Sequence, residues 1–217
     1  MRSKRILLMM AAAILAAWVG AHAADPADIR WGRDPRTSAQ VGYVTRNFQL
    51  TEVSWSGPSV QGMAHGKGAL KLSLRSVDGR NQYTVEGEAE LAAGLMDGMA
   101  TLKYSDGESY TGTYRAGLKD GKGRYTYADG DSYDGDWKEN LKQGRGVLLT
   151  GEGDRYEGEF KDDQMSGKGV FLWHDGWRLE GSFKDGRPNG YGVLTGPDGK
   201  VTYKGEWVNG ERAPAPE

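Results

Sequence analysis

Pairs of glycines separated by one residue recur every 23 residues through most of this chain. A glycine loop built to hold one phosphate group has no reason to recur. Regular recurrence is instead the signature of a repeat array, in which each unit buries its apolar side chains against its neighbours. The sequence therefore predicts a repeat fold. The pairs are Gly121/Gly123, Gly144/Gly146, Gly167/Gly169 and Gly190/Gly192, with Gly98 and Ala100 one step earlier.

Each unit contains two segments in which the character of the residues alternates. In residues 121–127, GKGRYTY, the glycines and tyrosines fall on one side of an extended chain, and the basic and hydroxyl residues fall on the other. In residues 133–137, YDGDW, the aromatic residues and the glycine share a side opposite two aspartates. This alternation predicts β-hairpins with a glycine-aromatic face and a charged face.

The loop between these two segments is predicted from the register that it imposes. A two-residue loop at Asp129-Gly130 would place Tyr125 and Tyr133 on opposite faces and would split the apolar side. A three-residue loop, 128–130, pairs the two tyrosines and requires a left-handed backbone at Gly130. We therefore predict three-residue loops. The glycines inside the strands predict the close approach of an aromatic ring from a neighbouring strand.

These units resemble MORN repeats, whose pattern is roughly Y-x-G-x-W, a turn, G-x-G and then D-G. The segments YTGTYRAGLKDGKGRYTYADG and YDGDWKENLKQGRGVLLTGEG carry the resemblance, which covers residues 85–210 regularly and 51–84 loosely. Ala100 in place of a glycine and Leu179 in place of a tyrosine depart from the pattern. The resemblance implies an all-β fold, an elongated, single-layer, twisted antiparallel sheet of successive hairpins. Such arrays serve as scaffolds, spacers or binding surfaces, and some contact phospholipid.

The first 23 residues have the composition of a secretory signal peptide. A basic start, MRSKR, precedes an apolar run of about 15 residues and the sequence Ala21-His22-Ala23, which fits a cleavage site. The run is shorter than the roughly 20 residues that a membrane-spanning helix needs, which favours cleavage after Ala23 over an uncleaved anchor. We therefore expect an exported protein, periplasmic or secreted, of bacterial type.

Charge and cysteine content narrow the classes of partner. The chain contains no Cys, which excludes disulfides and Cys-ligated metals. Loss of residues 1–23 removes three basic residues and no acid, and so takes the formal net charge from −2 to −5. An acidic chain is a poor ligand for nucleic acid, and charge alone does not attract it to anionic lipid. We expect no nucleic-acid partner, and membrane contact has only weak support.

Candidate catalytic and metal sites have structural alternatives. The Gly-Lys pairs at 66, 121, 167 and 199 never complete the phosphate-binding sequence G-x-x-x-x-G-K-[ST]. The acidic run DGDSYDGD, residues 129–136, fails the spacing of a calcium loop because Tyr133 stands where an oxygen ligand belongs. After the leader only His65 and His174 remain, far apart in the array. We expect no enzymatic activity, no cofactor and no metal site.

The least regular stretch of the array, FLWHDGWRLEG at residues 171–181, is the candidate partner-binding site. Tryptophan and arginine cluster around one turn there, and both are enriched at binding hot spots. The alternative is that Trp173 belongs to the inner column of aromatics and that only Trp177 is accessible to a partner. Because the array ends without an obvious cap, we predict partner contact or self-association on its aromatic side near residues 171–207. The predicted contact residues are Trp173, His174, Trp177, Arg178 and Trp207.

The predicted domain organisation has four parts. Residues 1–23 are the signal peptide, 24–50 are a linker or a cap over the first hairpin, 51–210 are the repeat array, and 211–217 are a Pro-rich disordered tail. The leading functional hypothesis is a non-enzymatic scaffold or protein-binding module of the cell envelope. A peripheral, phospholipid-contacting protein and a glycan- or wall-binding module are the alternatives.

Overall fold

The computed structural model describes residues 29–45 and 47–214. In these ranges the chain forms β-strands joined by short turns and contains no helix, so the predicted all-β class is confirmed. The predicted signal peptide lies outside the described residues. The strands are β1 (Ile29–Arg33), β2 (Gln40–Val44), β3 (Phe48–Trp55), β4 (Ser59–Val60), β5 (Met63–Ala64), β6 (Gly66–Ser76), β7 (Gln82–Ala92), β8 (Leu95–Tyr104), β9 (Ser109–Arg115), β10 (Leu118–Thr126), β11 (Ser132–Lys138), β12 (Leu141–Leu149), β13 (Arg155–Lys161), β14 (Gln164–Leu172), β15 (Arg178–Lys184), β16 (Arg187–Thr195), β17 (Val201–Val208) and β18 (Glu211–Arg212).

The strands form two sheets. The larger has 14 strands in the order β18-β17-β16-β15-β14-β13-β12-β11-β10-β9-β8-β7-β6-β3, so from β6 onwards neighbours in the chain are neighbours in the sheet. This order is that of the predicted antiparallel sheet of successive hairpins. The smaller sheet has the order β1-β2-β5-β4. By its internal contacts the described chain divides into an N-terminal unit, up to residue 130 with 137–140, and a C-terminal unit, 131–136 and from 141 onwards.

From β8 onwards, the loops at one end of the hairpins have three residues, as the register argument predicted. β8 pairs Leu102 with Tyr110 of β9, which is the equivalent, one repeat earlier, of the pair predicted for Tyr125 and Tyr133. In the loop at 128–130, the Gly130 amide donates to the carbonyl oxygen of residue 127 at 3.1 Å, and the φ angle of Gly130 is 92°. The prediction of a left-handed glycine in this loop is therefore confirmed.

The opposite ends of the hairpins are closed by two-residue turns in which both residues have positive φ. Glu139 has a φ of 50° and Asn140 a φ of 72°, which is the geometry of a type I′ turn. The Asn140 side-chain oxygen accepts from the Lys119 amide, and the Asn140 amide donates to the Lys119 carbonyl, both at 2.9 Å. Asp163 makes the same two bonds with Lys142, at 2.8 and 3.1 Å. Hydrogen bonds thus join each of these turns to the corresponding turn of the preceding repeat.

Glycines inside the strands make room for tyrosine rings. A Cβ atom on Gly146 would lie 2.5 Å from the Tyr133 hydroxyl oxygen, and one on Gly135 would lie 2.6 Å from the Gly146 Cα atom. Tyr110 and Tyr156 lie over the equivalent glycine pairs of their own repeats. The predicted approach of an aromatic ring to the strand glycines is therefore confirmed.

The aromatic side chains of the glycine-aromatic face bury one another. Tyr110 and Tyr133 are 0% exposed and Tyr156 is 1% exposed. The Trp137 indole nitrogen donates to the Gly123 carbonyl oxygen at 2.9 Å, and its ring meets the Tyr110 ring edge-on with 5.8 Å between centroids. In these repeats the core is therefore a column of interlocked rings rather than a layer between two sheets.

The N-terminal unit has an additional layer, formed by part of the segment 24–50 for which the sequence left a linker and a cap as alternatives. β1 of the small sheet lies against β3, where Gly32 contacts the side chain of Val53. The Gly42 amide of β2 donates to the Gly94 carbonyl oxygen at 2.7 Å. The fully buried carboxylate of Asp34 accepts the Trp55 amide at 2.6 Å. The described residues before β3 are thus folded over the glycine-aromatic face of the first hairpins.

Replacing Trp137 and Trp177 in turn tests the assignment of core and surface. Trp137 is 5% exposed, so Trp137→Ala removes a packed ring and is expected to lower the free energy of unfolding by roughly 3–5 kcal/mol. Trp177 is only half-buried, and Trp177→Ala is expected to leave the melting temperature nearly unchanged. Urea unfolding measures both effects. Unfolding of the chain by Trp177→Ala, together with tolerance of Trp137→Ala, would reverse the assignment.

Candidate functional site

The five predicted contact residues separate into two buried and three accessible side chains. Trp173 and Trp207 are 7% and 2% exposed, which corrects the expectation that their rings face a partner. The Trp173 ring packs on Phe171 with 4.6 Å between centroids, as the alternative interpretation held. His174, Trp177 and Arg178 keep accessible surface around the turn. The predicted contact surface is therefore reduced to this turn.

The end of the array carries a cap that the sequence analysis missed. After a turn at Asn209-Gly210 the chain returns as β18, and Arg212 pairs with Trp207. The guanidinium carbon of Arg212 lies 5.1 Å from the centre of the Tyr203 ring and 5.9 Å from that of Trp207. The arginine covers both rings with a cation–π contact. Residues 211–212, which were expected in a disordered tail, thus complete the last repeat.

His174 joins two consecutive three-residue loops. Its backbone amide and its ring nitrogen Nδ1 both contact the same oxygen of Asp154, each at 2.8 Å. The Asp154 side chain is 5% exposed and that of His174 is 46% exposed. One repeat earlier, the Asp131 carboxylate accepts the Gly151 amide at 2.9 Å in the same way. The carboxylate at this position therefore joins its loop to the loop of the next repeat by a hydrogen bond.

Trp177 occupies the loop position that Asp131 and Asp154 hold in the preceding repeats. The residue 20 positions further on, whose amide such a carboxylate would accept, is Pro197, which has no N–H group. A carboxylate would have nothing to bind there, so an apolar residue costs the loop no hydrogen bond. Arg178 next to it forms an ion pair with Glu180 at 2.6 Å. The irregular composition of this turn therefore follows in part from the proline.

The hydrogen bond to Asp154 raises the pKa of His174 above its usual range. The protonated imidazole is thus favoured in the folded chain, so its stabilising contribution is complete below the pKa of an unfolded histidine, about 6.5. That contribution is lost as pH rises through the raised pKa of the folded state. We therefore expect wild type to lose melting temperature relative to His174→Gln between pH 6 and pH 9. An unchanged difference across this range would contradict the pairing, and Asp154→Asn is the control that removes the acceptor charge.

An aromatic row that sequence reasoning did not single out crosses the N-terminal unit. Consecutive ring centroids are 5.6, 6.2, 6.1 and 4.6 Å apart, and every ring except Tyr125 is half-buried. The sequence signal was the recurrence of tyrosine at 21-residue steps next to the three-residue loops. The aromatic row consists of Phe48, Tyr83, Tyr104, Tyr125 and Tyr127.

Two carboxylates border the aromatic row. The Tyr83 hydroxyl donates to Asp106 at 2.7 Å, and the Tyr125 hydroxyl donates to Glu108. Burial raises the pKa of the Glu108 carboxyl. The Lys119 ammonium lies 4.1 Å from the centre of the Tyr125 ring, so the rings already hold one cation of this chain. Half-buried rings beside carboxylates form a surface that suits apolar and basic side chains of a ligand.

Groups that could bind a metal ion and helices that could span a membrane are absent from the described residues. Between residues 29 and 214, with residue 46 excepted, no group of three or more His, Asp or Glu side chains is placed to hold a metal ion. The Gly167-Lys168 pair forms a bulge in β14, whose Lys168 amide donates to the Glu159 carboxylate at 3.0 Å. That carboxylate therefore has a structural partner. Over the described ranges, no helix has the length and apolar character to cross a membrane.

A family model matches this chain at six consecutive segments, and its description is the MORN repeat. The matched segments are 88–109, 110–132, 133–155, 156–178, 180–201 and 203–213, together more than half of the chain. The chain belongs to the MORN repeat family. MORN repeats are generally modules that bind proteins or membranes, and the family is typically non-enzymatic.

Comparison with individual proteins adds little to the MORN assignment. No curated protein matches the chain. Among solved structures, the chain is similar to the TCP domain of SAS-4 (dCPAP) of Drosophila melanogaster, solved in complex with a proline-rich motif of Ana2 (dSTIL). The two are 15% identical, the match covers 69% of this chain and 86% of that one, and the TM-score is 0.37. A likeness at this level carries no argument about the partner of this MORN array.

Proposed function

We propose that this chain is a non-enzymatic scaffold or protein-binding module of the cell envelope, and that it holds its partner on the aromatic row of the N-terminal unit. The observation that carries the proposal is the row itself, whose rings other than that of Tyr125 keep part of their surface exposed, although the rings of the inner column are buried. The few residues that dominate the binding energy of protein interfaces are enriched in tyrosine, tryptophan and arginine.

The chemistry around the row defines the kind of partner. Asp106 and Glu108 border it, and the Asp129 charge lies close enough to Glu108 to raise the pKa of that carboxyl further. A partner segment with basic and apolar side chains complements these acids and rings. An anionic phospholipid surface is disfavoured by the same charges. The proposed partner is therefore a protein segment with basic and apolar residues.

The proposed cell-envelope location is supported by the sequence of residues 1–23, with its basic start, short apolar run and Ala-x-Ala site. Cleavage after Ala23 is expected to leave Ala24 as the mature N-terminus. N-terminal sequencing of the protein from the exported fraction measures this directly. A chain that begins at Met1 and sediments with membranes would contradict export as a free protein.

Photo-crosslinking in envelope preparations of the source cell tests the site. A benzophenone side chain at Tyr104, on the aromatic row, is expected to capture one protein. The same group at Thr111, an exposed residue of β9 on the charged face, is the matched control and is expected not to capture it. Mass spectrometry identifies the captured protein, which is then purified for affinity measurements.

Isosteric removal of charge tests the recognition chemistry. Asp106→Asn together with Glu108→Gln is expected to weaken binding of the captured partner several-fold and to reduce its dependence on salt, because charges at an interface act over the screening length. Circular dichroism checks that the variant is folded. Binding to lipid vesicles or to cell-wall glycans, with no protein captured at Tyr104, would favour the corresponding alternative and would overturn the proposal.

A further inference from the structure

The charged face of the C-terminal unit carries an ordered checkerboard of apolar and ionic side chains. Register pairs place Leu149 opposite Arg155, Arg155 opposite Leu172, and Leu172 opposite Arg178. One step along the same strands, Val147 lies opposite Glu157, Glu157 opposite Val170, and Val170 opposite Glu180. Because residues directly opposite one another share a face, these side chains form two adjacent rows. The first row is Leu149, Arg155, Leu172, Arg178 and Thr195, and the second is Val147, Glu157, Val170, Glu180 and Val193.

The apolar members of these rows are accessible. Leu149 and Leu172 are each 40% exposed, and the three valines are partly exposed. The ionic members are also accessible, since the side chains of Arg155 and Glu157 are 41% and 59% exposed. Strands β12, β14 and β16, which carry the leucines and valines, thus alternate with strands β13 and β15, which carry the ion pairs. Each ion pair joins an Arg to the Glu two residues later at 2.6 Å.

The N-terminal unit lacks this pattern at equivalent positions. There the two rows contain Lys103, Ser109 and Thr126, and Thr101, Thr111 and Arg124. No leucine or valine occurs among these six residues, although they form the same kind of strand. Repetition of the fold therefore does not require apolar side chains on this face. The presence of leucines and valines on this face of the C-terminal unit is therefore not explained by the fold.

We propose that this checkerboard is a self-association surface whose occupant is the same surface of a second copy of the chain. On every ionic strand the Arg belongs to the first row and the Glu to the second. A two-fold axis parallel to the rows and between two facing sheets exchanges the rows. Arg155 of one copy then faces Glu157 of the other, Arg178 faces Glu180, and Leu172 faces Val170. The surface is thus complementary to itself in charge, as an isologous dimer requires.

The dimensions set the expected strength of this dimer. Sheets that pack face to face lie about 10 Å apart, a gap that Leu and Val fill from both sides and that Arg and Glu span. The rows supply ten side chains per copy, whereas a standard interface uses roughly 20–30 residues a side. The dimer is therefore reversible, and its population rises with concentration in the micromolar range or above.

Charge swaps in separate copies test the proposal. In the chain with Arg155→Glu and Arg178→Glu, all four ionic positions of the rows are acidic. In the chain with Glu157→Arg and Glu180→Arg, all four are basic. We expect each variant alone to be monomeric by sedimentation velocity and their equimolar mixture to form a heterodimer. A role confined to ion pairs within one chain predicts no association on mixing, so failure of the mixture to associate overturns the proposal.

The apolar side chains of the rows have their own test. Leu149→Thr with Leu172→Thr reproduces the polar surface of the N-terminal unit and is expected to raise the dimer dissociation constant by about tenfold or more. Lys103→Glu, on the same face of the N-terminal unit, is the matched control and is expected to leave the constant unchanged. Wild type that remains monomeric at millimolar concentration overturns the proposal. So does wild type that binds lipid vesicles through the leucines as a monomer.

Discussion

The contact between a tyrosine ring and a pair of facing strand glycines is the interaction on which this fold depends. Tyr133 lies over Gly135 and Gly146, and a Cβ atom on either glycine would collide with the ring or with the facing backbone. The ring in turn fills the space that two absent side chains leave. A sheet can therefore bury large aromatic groups without a second sheet, although most domains need two layers to form a core.

This contact also explains where the repeat pattern departs from its consensus. Ala100 replaces a strand glycine, and the tyrosine position of its own repeat is occupied by Gly87, which has no ring to collide with a methyl group. Leu179 replaces a tyrosine, and its Cδ1 atom approaches the space above Gly192 from one side while the Trp207 ring approaches from another. At Leu179 the volume of the missing ring is thus filled by other side chains, whereas at Ala100 the missing ring removes the need for a glycine.

Much of the fold could be predicted from the sequence because its rules are local. The alternation of residues set the faces, and the need to keep Tyr125 and Tyr133 on one face set the three-residue loop. For residues 24–50 the sequence offered a linker or a cap and could not decide between them, because this segment carries no repeat register and the docking of β1 and β2 depends on contacts distant in sequence. The cover over Trp207 was missed because it depends on two residues after the last complete repeat.

The candidate site was harder to predict than the fold, since composition does not report exposure. Trp173 and Trp207 have the residue type of a binding hot spot, yet both lie in the ring column. The rings of Tyr83 and Tyr104 also lie on the glycine-aromatic face, but neighbouring side chains cover them less completely. Sequence periodicity identifies which face a ring belongs to, and only three-dimensional packing determines how much of it a partner can reach.

The hydrogen bonds between consecutive turns have consequences for how such a chain folds and how it evolves. Asn140 binds Lys119, and Asp163 binds Lys142, so these hydrogen bonds between consecutive repeats join residues only 21 positions apart. Low contact order of this kind favours rapid folding by propagation from any hairpin that forms first. Because each of these bonds links only neighbouring repeats, a whole repeat can be gained or lost while the bonds between the others are kept. Arrays of different length can therefore arise by duplication without a change in the core.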